Sequence, residues 1–381
     1  MTSPATSWAC RDSGVAVWLR YTVREVLGPA VGALVLTTFL LLTTQLLRVG
    51  EAAFGAGLGA GDFFAILGLL VPRFLVFTVP ISVLVGVVGG VGRLAEDREL
   101  WAMEAMGLSP VRLLPGPLLL GLLGTLTSLL LTTAGEPLGL KAASDRMAGV
   151  IERNLAEGLS PGIIHEDIPG AALYARARRG DGTLEDVFIQ YGSEDGRPVT
   201  LVAEEARVRP GEGYGLDFEV VRGEVFRLAS TPEGPSVDRA RFARGRAHID
   251  IEGTVRRRIR FIGRLDVLLP GELAHLARLA PDEATRRKAR LHLHRRLALP
   301  FACLALAVAG LPLGLGPAGR RGSRRGAAFL GGVALVTAYY LGLKGIEAAA
   351  LAGVVSIPLG VWLPNLALAV LGAFLLWRRA R

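Results

Sequence analysis

The sequence predicts an α-helical integral membrane protein with six transmembrane helices and an extracytoplasmic β domain, of sandwich or jelly-roll type, inserted between the third and fourth. Three observations carry this expectation. Six apolar runs reach the about 20 residues that a helix needs to cross a bilayer core. Charge is segregated: residues 137–290 hold 25 basic and 24 acidic residues, whereas the apolar remainder holds 18 and 10, so the net charge of +9 lies beside hydrophobic segments. Between the third and fourth runs the pattern changes to period-two alternation broken by Gly and Pro, the signature of short strands.

The runs are Pro29–Leu47, Phe63–Val91, Leu113–Ala134, Leu297–Leu315, Ala327–Ile346 and Ile357–Trp377. The second contains Pro72 and Pro80, which predict tilt or a kink there. Orientation follows from the short loops. Thirteen basic residues lie on one side: Arg11, Arg20 and Arg24, then Arg93, Arg98 and Arg112, then Arg320, Arg321, Arg324 and Arg325, then Arg378, Arg379 and Arg381. The opposite short loops hold only Arg48, Arg73 and Lys344. Positive charge favours the cytoplasm, so both termini are expected inside and the inserted domain outside. The first run follows Arg20 and Arg24 and is long enough to remain as an anchor rather than a cleaved signal.

Domain boundaries are expected at 1–136 (three helices and a cytoplasmic helix at 94–108), 137–290 (the outer β domain with flanking helical linkers) and 291–381 (three helices). Within the outer domain "ALYARARRGDGTLEDVFIQY" reads as two strands around Gly180-Asp181-Gly182, a strong hairpin signal. "LKAASDRMAGVIERNLAEG" and "PGELAHLARLAPDEATRRKARLHLHRRLA" read as the helical linkers.

Some chemistries find no support. The two cysteines, Cys10 and Cys303, suggest neither a disulfide nor a metal pair, and the five His form no HExxH. No Lys follows a Gly, so there is no GxxxxGK[ST] phosphate loop, and no metal or cofactor is expected on this chain. Positive charge beside apolar runs argues for membrane orientation and against nucleic acid.

The stretch from Gly92 to Pro115, "GRLAEDRELWAMEAMGLSPVRLLP", is long for a turn between two crossings. Asp97–Met106 is rich in helix formers, with Gly107 placed as a C-terminal cap and Ser109-Pro110 as the next helix start. Leu100, Met103 and Gly107 share one helical face, with Trp101, Ala105 and Leu108 beside it and Asp97, Glu99 and Glu104 at its rim. The plain reading is a helix lying among lipid headgroups. Membrane-surface helices favour Lys and Arg, however, so this acidic one suits a groove on a basic protein partner.

Here the chain resembles a known family. "GRLAEDRELWAMEAMGLSPVRLLP", following "LLVPRFLVFTVP", is similar to the lipopolysaccharide-export permeases of the LptF/LptG type, and the latter motif leans toward the F type. "WLRYTVREVL", "HRRLALPFACLALAVAGLPLG", "YYLGLKG" and "IPLGVWLPN" extend the resemblance over nearly the whole chain, and "LVAEEARV" with "LDFEVVRGEVFRL" resembles the family's jelly-roll strands. The resemblance implies an inner-membrane permease subunit of an ABC-type exporter. Its substrate would be lipopolysaccharide or a related glycolipid, taken from the periplasmic leaflet and passed to a periplasmic bridge (LptC/LptA-like). Its implied partners are an LptB-like cytoplasmic ATPase, which uses the ATP, and a second permease of the same family. The family's coupling-helix acid falls on Glu99 and its Gly-Leu-Ser on Gly107, Leu108 and Ser109. The ATPase-contact candidates are therefore Asp97, Glu99, Leu100, Trp101, Met103, Glu104, Gly107 and Leu108.

Candidate lipid contacts are Arg48, Arg73, Lys344 and Glu347. Arg48 and Arg73 read otherwise as interfacial anchors, and Lys344–Glu347 as a mutual salt bridge three residues apart. Charges near membrane depth are functional candidates by default. In "WLPN", Pro364 is expected to bend the last helix and Asn365 to satisfy the backbone this frees. "VRRRIRF" (Arg256–Phe261) reads as a charged strand or helix face. Two other function classes stand beside the exporter. One is a membrane-anchored scaffold or sensor with a ligand-binding β domain. The other is a membrane-embedded lipid enzyme, for which the crossings lack a cluster of His, Asp or Ser.

Overall fold

The computed structural model describes residues 9–56, 59–106, 109–158, 161–165, 171–192, 198–211, 215–231, 234–250, 262–316 and 324–380. The chain forms two compact units. One comprises Met1–Gln45, Leu69–Leu140 and Arg264–Arg381; the other comprises Leu46–Gly68 and Lys141–Gly263.

The helical unit is built from α1 (Ala9–Ala56), α2 (Ala60–Glu96), α3 (Glu99–Ala105), α4 (Pro115–Leu130), α5 (Glu136–Gly158), α6 (Pro270–Leu279), α7 (Glu283–Leu315), α8 (Arg324–Leu351) and α9 (Ile357–Ala380); α1, α2 and α5 also run into the second unit. Six stretches are long and apolar enough to cross a membrane: Trp18–Leu47, Ala60–Glu96, Val111–Val150, Glu283–Leu315, Gly326–Leu351 and Ile357–Arg379. They match the six apolar runs, lengthened by polar turns at their ends. α2 continues as one helix through Pro72 and Pro80. α4 passes into α5 through a π-helical turn, Leu131–Gly135.

α2 and α7 form the centre. Their most apolar stretches are 72% and 67% buried, whereas that of α1 is 11% and that of α8 is 17%. Helices in lipid gain little from the hydrophobic effect against one another, so close contact must come from small residues. A Cβ on Gly86 of α2 would stand 2.7 Å from the Val26 carbonyl of α1, and one on Gly90 would stand 2.6 Å from that of Glu25. Pro29 has no N–H to give the Glu25 carbonyl, so α1 is open at the point where Gly90 packs. Gly121 of α4 meets Ala307 and Cys303 of α7, and Gly310 of α7 meets Leu84 and Val87 of α2. These contacts enclose Val83, Val87, Val91, Cys303, Ala307 and Leu311.

α6 belongs to the helical unit, because Leu273 and Ala277 pack on Ala289 of α7. The preceding turn is held by Arg296, which is 5% exposed. Its guanidinium donates to the carbonyls of Leu265 (3.3 Å), Asp266 (2.7 Å) and Leu268. Pro300 leaves the Arg296 carbonyl without its helical donor, and Thr132 of the π turn supplies one at 2.9 Å.

The second unit holds a six-stranded antiparallel sheet in sequence order: β1 (Ile164–His165), β2 (Ala171–Arg178), β3 (Leu184–Gly192), β4 (Pro198–Pro210), β5 (Gly215–Thr231) and β6 (Gly234–Asp250). The inserted β region is therefore present, and its strand order, open in the sequence, is a meander among the described residues. The Gly180-Asp181-Gly182 hairpin forms as expected. Gly182 has φ +84°, and Asp181 Oδ1 accepts from the Thr183 amide at 3.1 Å.

The alternation slips along one line. Leu184 then Val187, and Ala203 then Ala206, are successive buried residues three apart instead of two. Regular pairing skips Arg176 opposite Asp186, Asp186 opposite Glu204, and Glu204 opposite Arg222. Asp186 and Arg222 have φ 50° there, which interrupts the alternation of side chains between the two faces without changing the register. Arg176–Asp186 (2.6 Å) and Arg222–Glu204 (2.5 Å) pair along this line. The segment "VRRRIRF" lies outside the described residues.

Candidate functional site

Within the helical unit an apolar groove of about 510 Å³ opens between α1, α2 and α8. Pro29 contributes from α1, Ile81, Leu84, Val85, Val88 and Gly89 from α2, and Phe329, Gly332, Val333, Val336 and Thr337 from α8. A side chain on Gly332 would find no neighbour closer than 3.9 Å, so the absence of one there helps to keep the groove open. From Ile81 to Arg93 the groove follows α2 for about 18 Å at 1.5 Å per residue. That is more than half of a bilayer core of about 30 Å. At its end Arg93 pairs with Glu25 of α1, its side chain 53% exposed. The groove is thus an apolar slot with a charged pair at one mouth.

Just beyond Arg93 the chain turns into α3. The helix expected to begin near Asp97 begins at Glu99, because Arg98 takes a left-handed conformation, φ 63°. On either side of Arg98 the backbone bonds are helical: the Asp97 amide to the Arg93 carbonyl (2.9 Å), and that of Ala102 to the Arg98 carbonyl (3.2 Å). Leu100 and Met103 share a face, but it turns inward. They are 2% and 6% exposed and join Leu94, Leu113 and Val26 in the core. This corrects the expectation that they form an outward docking ridge. The exposed surface includes Asp97, Arg98, Glu99, Ala102, Glu104, Ala105 and Met106, the last 68% exposed. Glu99 accepts a hydrogen bond from the Tyr21 hydroxyl of α1. The Trp101 side chain, Gly107 and Leu108 lie outside the described residues. Ser109 caps the following 3-10 turn, its Oγ accepting from the Val111 amide at 3.4 Å.

A family model described as lipopolysaccharide export system permease LptF/LptG matches residues 20–378. The chain belongs to this family. Among curated proteins it is 23% identical over 188 residues to the lipopolysaccharide export system permease protein LptF of Escherichia coli K12, covering 49% of this chain and 51% of that protein. The LptF proteins of Escherichia coli O157:H7 and Shigella flexneri match with the same figures. The chain thus spans about half the length of the curated relatives it matches. Family and helices together make it a multi-pass inner-membrane protein.

In this chain the remaining candidates separate. Arg48 lies within α1, with its side chain outside the described residues. Arg73 lies twenty residues before Arg93 on α2, roughly 30 Å along the helix, at the other face of the core. It pairs with Asp266 at 3.6 Å, its side chain 28% exposed. Arg295 at 3.9 Å and His292 at 3.5 Å approach the same carboxylate. Lys344 and Glu347 form their expected bridge, Nζ to Oε2 at 2.7 Å, with Glu347 buried and Lys344 exposed. The Glu347 Oε1 is buried without a hydrogen-bond partner among the described residues.

Asn365 does not serve the backbone freed by Pro364. Its Nδ2 donates to the Ala298 carbonyl of α7 at 2.6 Å, and its Oδ1 accepts from the Tyr339 hydroxyl of α8 at 2.8 Å. It therefore joins three spans. Sequence reasoning also passed over Asp266, Arg296 and Tyr21. Arg296 stands in "HLHRRL", which reads as a solvated run, and only Pro300 four residues on hinted at a carbonyl needing a donor.

Proposed function

We propose that this chain is one transmembrane half of an ABC-type lipopolysaccharide exporter. A separate cytoplasmic ATPase, docked at the outward surface of α3, drives it. The basic inner loops favour both termini in the cytoplasm and the sheet in the periplasm. The lipid is taken from the periplasmic leaflet and passed by way of the β domain to a periplasmic bridge. The chain binds no nucleotide itself. ATP is the partner's.

The observation that carries this reading is the groove between the first, second and fifth spans. Its Ile81 and Thr337 end lies near mid-core, where the tails of a lipid in the periplasmic leaflet terminate. From there the apolar walls run on toward Arg93, so the groove receives the ends of the acyl chains, while Arg73, Lys344 and Arg48 toward the periplasmic side suit a phosphorylated head. The large exposed faces of α1 and α8 support a second permease subunit that closes the cavity, since an apolar face of this extent needs a lipid or protein partner.

The test fills the groove. Gly332→Leu has room for its Cβ and directs the added atoms into the slot. With the partner permease and ATPase reconstituted in liposomes, this variant should recover the ATPase as wild type does and release lipopolysaccharide at least about tenfold more slowly. Unchanged release would remove the groove from the transport path. Failure of wild type to recover an ATPase would remove the exporter reading altogether.

A further inference from the structure

We infer that Tyr21 is a positioning residue that ties α3 to the first span. Its hydroxyl, donated to Glu99, sets how α3 is held about a pivot at Arg98. The consequence for the ATPase rests on the exporter reading above, but the tie itself is a property of this chain alone.

Three observations converge on it. The first concerns the pivot. Asp97 and the left-handed Arg98 are all that separate α2 from α3, and the backbone bonds on both sides of Arg98 are helical. A single non-glycine residue in that region stores strain, and its return to a right-handed conformation would run α2 straight into α3. The bent form must therefore be held by contacts made beyond the joint.

Those contacts are the second observation. Leu100 and Met103 are buried against the bundle, and Glu99, the first residue past the pivot, is bonded by Tyr21. One turn along α1 from Tyr21, Glu25 pairs with Arg93, the last basic residue of α2. Two polar links from the same face of α1 thus bracket the joint, one on each side.

The third is that α1 is the span least enclosed by the rest of the chain. It is joined to α2 mainly where Gly86 and Gly90 pack on it and through Thr38 and Thr78, whose hydroxyls are 2.9 Å apart. Pro29, between Tyr21 and Thr38, lines the groove. A lipid that displaces α1 at the groove therefore shifts Tyr21, and through it Glu99. The chain would report groove occupancy at its ATPase-facing helix, by one hydrogen bond acting on a two-state joint.

The experiment is amide hydrogen exchange on the full-length protein in nanodiscs, reading Leu100–Met106 against Val83–Val91 as an internal reference. Tyr21→Phe removes only the hydroxyl. It should speed exchange in α3 on the order of tenfold, as expected for loss of a bond to a charged group, and leave the reference unchanged. Glu99→Leu should do the same, and adding Tyr21→Phe to it should change nothing further. Glu99→Gln, which keeps an acceptor, should restore most of the protection.

Unchanged exchange in Tyr21→Phe would overturn the inference. So would a rise shared by the reference amides, or effects that multiply in the double variant. None of these readouts uses an ATPase, so a failure of the exporter reading and a failure of this one can be told apart.

Discussion

Asp282 illustrates how single polar residues hold this chain at its helix ends. It is the N-cap of α7, and its carboxylate accepts from the amides of Ala284 (3.2 Å) and Thr285 (3.0 Å). The Ala284 amide first, then the Thr285 hydroxyl and amide, hold its carboxyl below the usual aspartate range. A depressed value means that the capping contribution is present above the unfolded value and is lost as pH falls through the folded one. Amides at the start of α7 should therefore exchange faster as pH drops below about the ordinary aspartate value, after correction for intrinsic rates. Asp282→Asn should keep the cap and abolish that pH dependence, whereas Asp282→Ala should exchange fast at every pH. At this scale the sequence was partly readable. Lys344 and Glu347 pair as their spacing implied, but Arg296 was missed, because its partners are carbonyls of a distant turn that no spacing rule reaches.

Elements were easier to find than to orient. The six apolar runs located the spans, since crossing a bilayer demands a length and a composition that few other structures need. For α3 the periodicity placed Leu100 and Met103 on one face, yet could not say whether that face meets the bundle or a partner. The left-handed Arg98, which turns it inward, has no glycine or asparagine to announce it. The break in the sheet's alternation hid for the same reason, being made at Asp186 and Arg222. The close helix crossings, in contrast, depend on glycines visible in the sequence. Gly310→Leu would drive a side chain into Leu84, whose Cδ1 stands 2.9 Å from the added Cβ. It should destabilise the bundle by about 1–3 kcal/mol, as overpacking does, and lower the thermal midpoint in detergent. Gly342→Leu, where a Cβ meets nothing within 4 Å, should not.

For the whole molecule, a well-packed centre of α2 and α7 carries two loosely enclosed helices, α1 and α8, and the groove lies between them and α2. That asymmetry suits the proposed export, in which some spans must stay fixed while others yield to substrate. Family and span count were readable in the sequence, because several motifs occur in order along the chain. The groove was readable only as a set of apolar faces, since its width depends on which helices pack and which do not. The proposed exporter sets the tail ends of lipopolysaccharide against the Ile81 and Thr337 end of this groove. The most direct test of this placement is photo-crosslinking of the lipid in reconstituted exporter, with the photoreactive residue at Thr337 in the groove or at Val370 on α9. Both positions are exposed and both are in spans. ATP-dependent crosslinks are expected at Thr337 and none above background at Val370. Equal crosslinking at both, or crosslinking at Val370 alone, would contradict it.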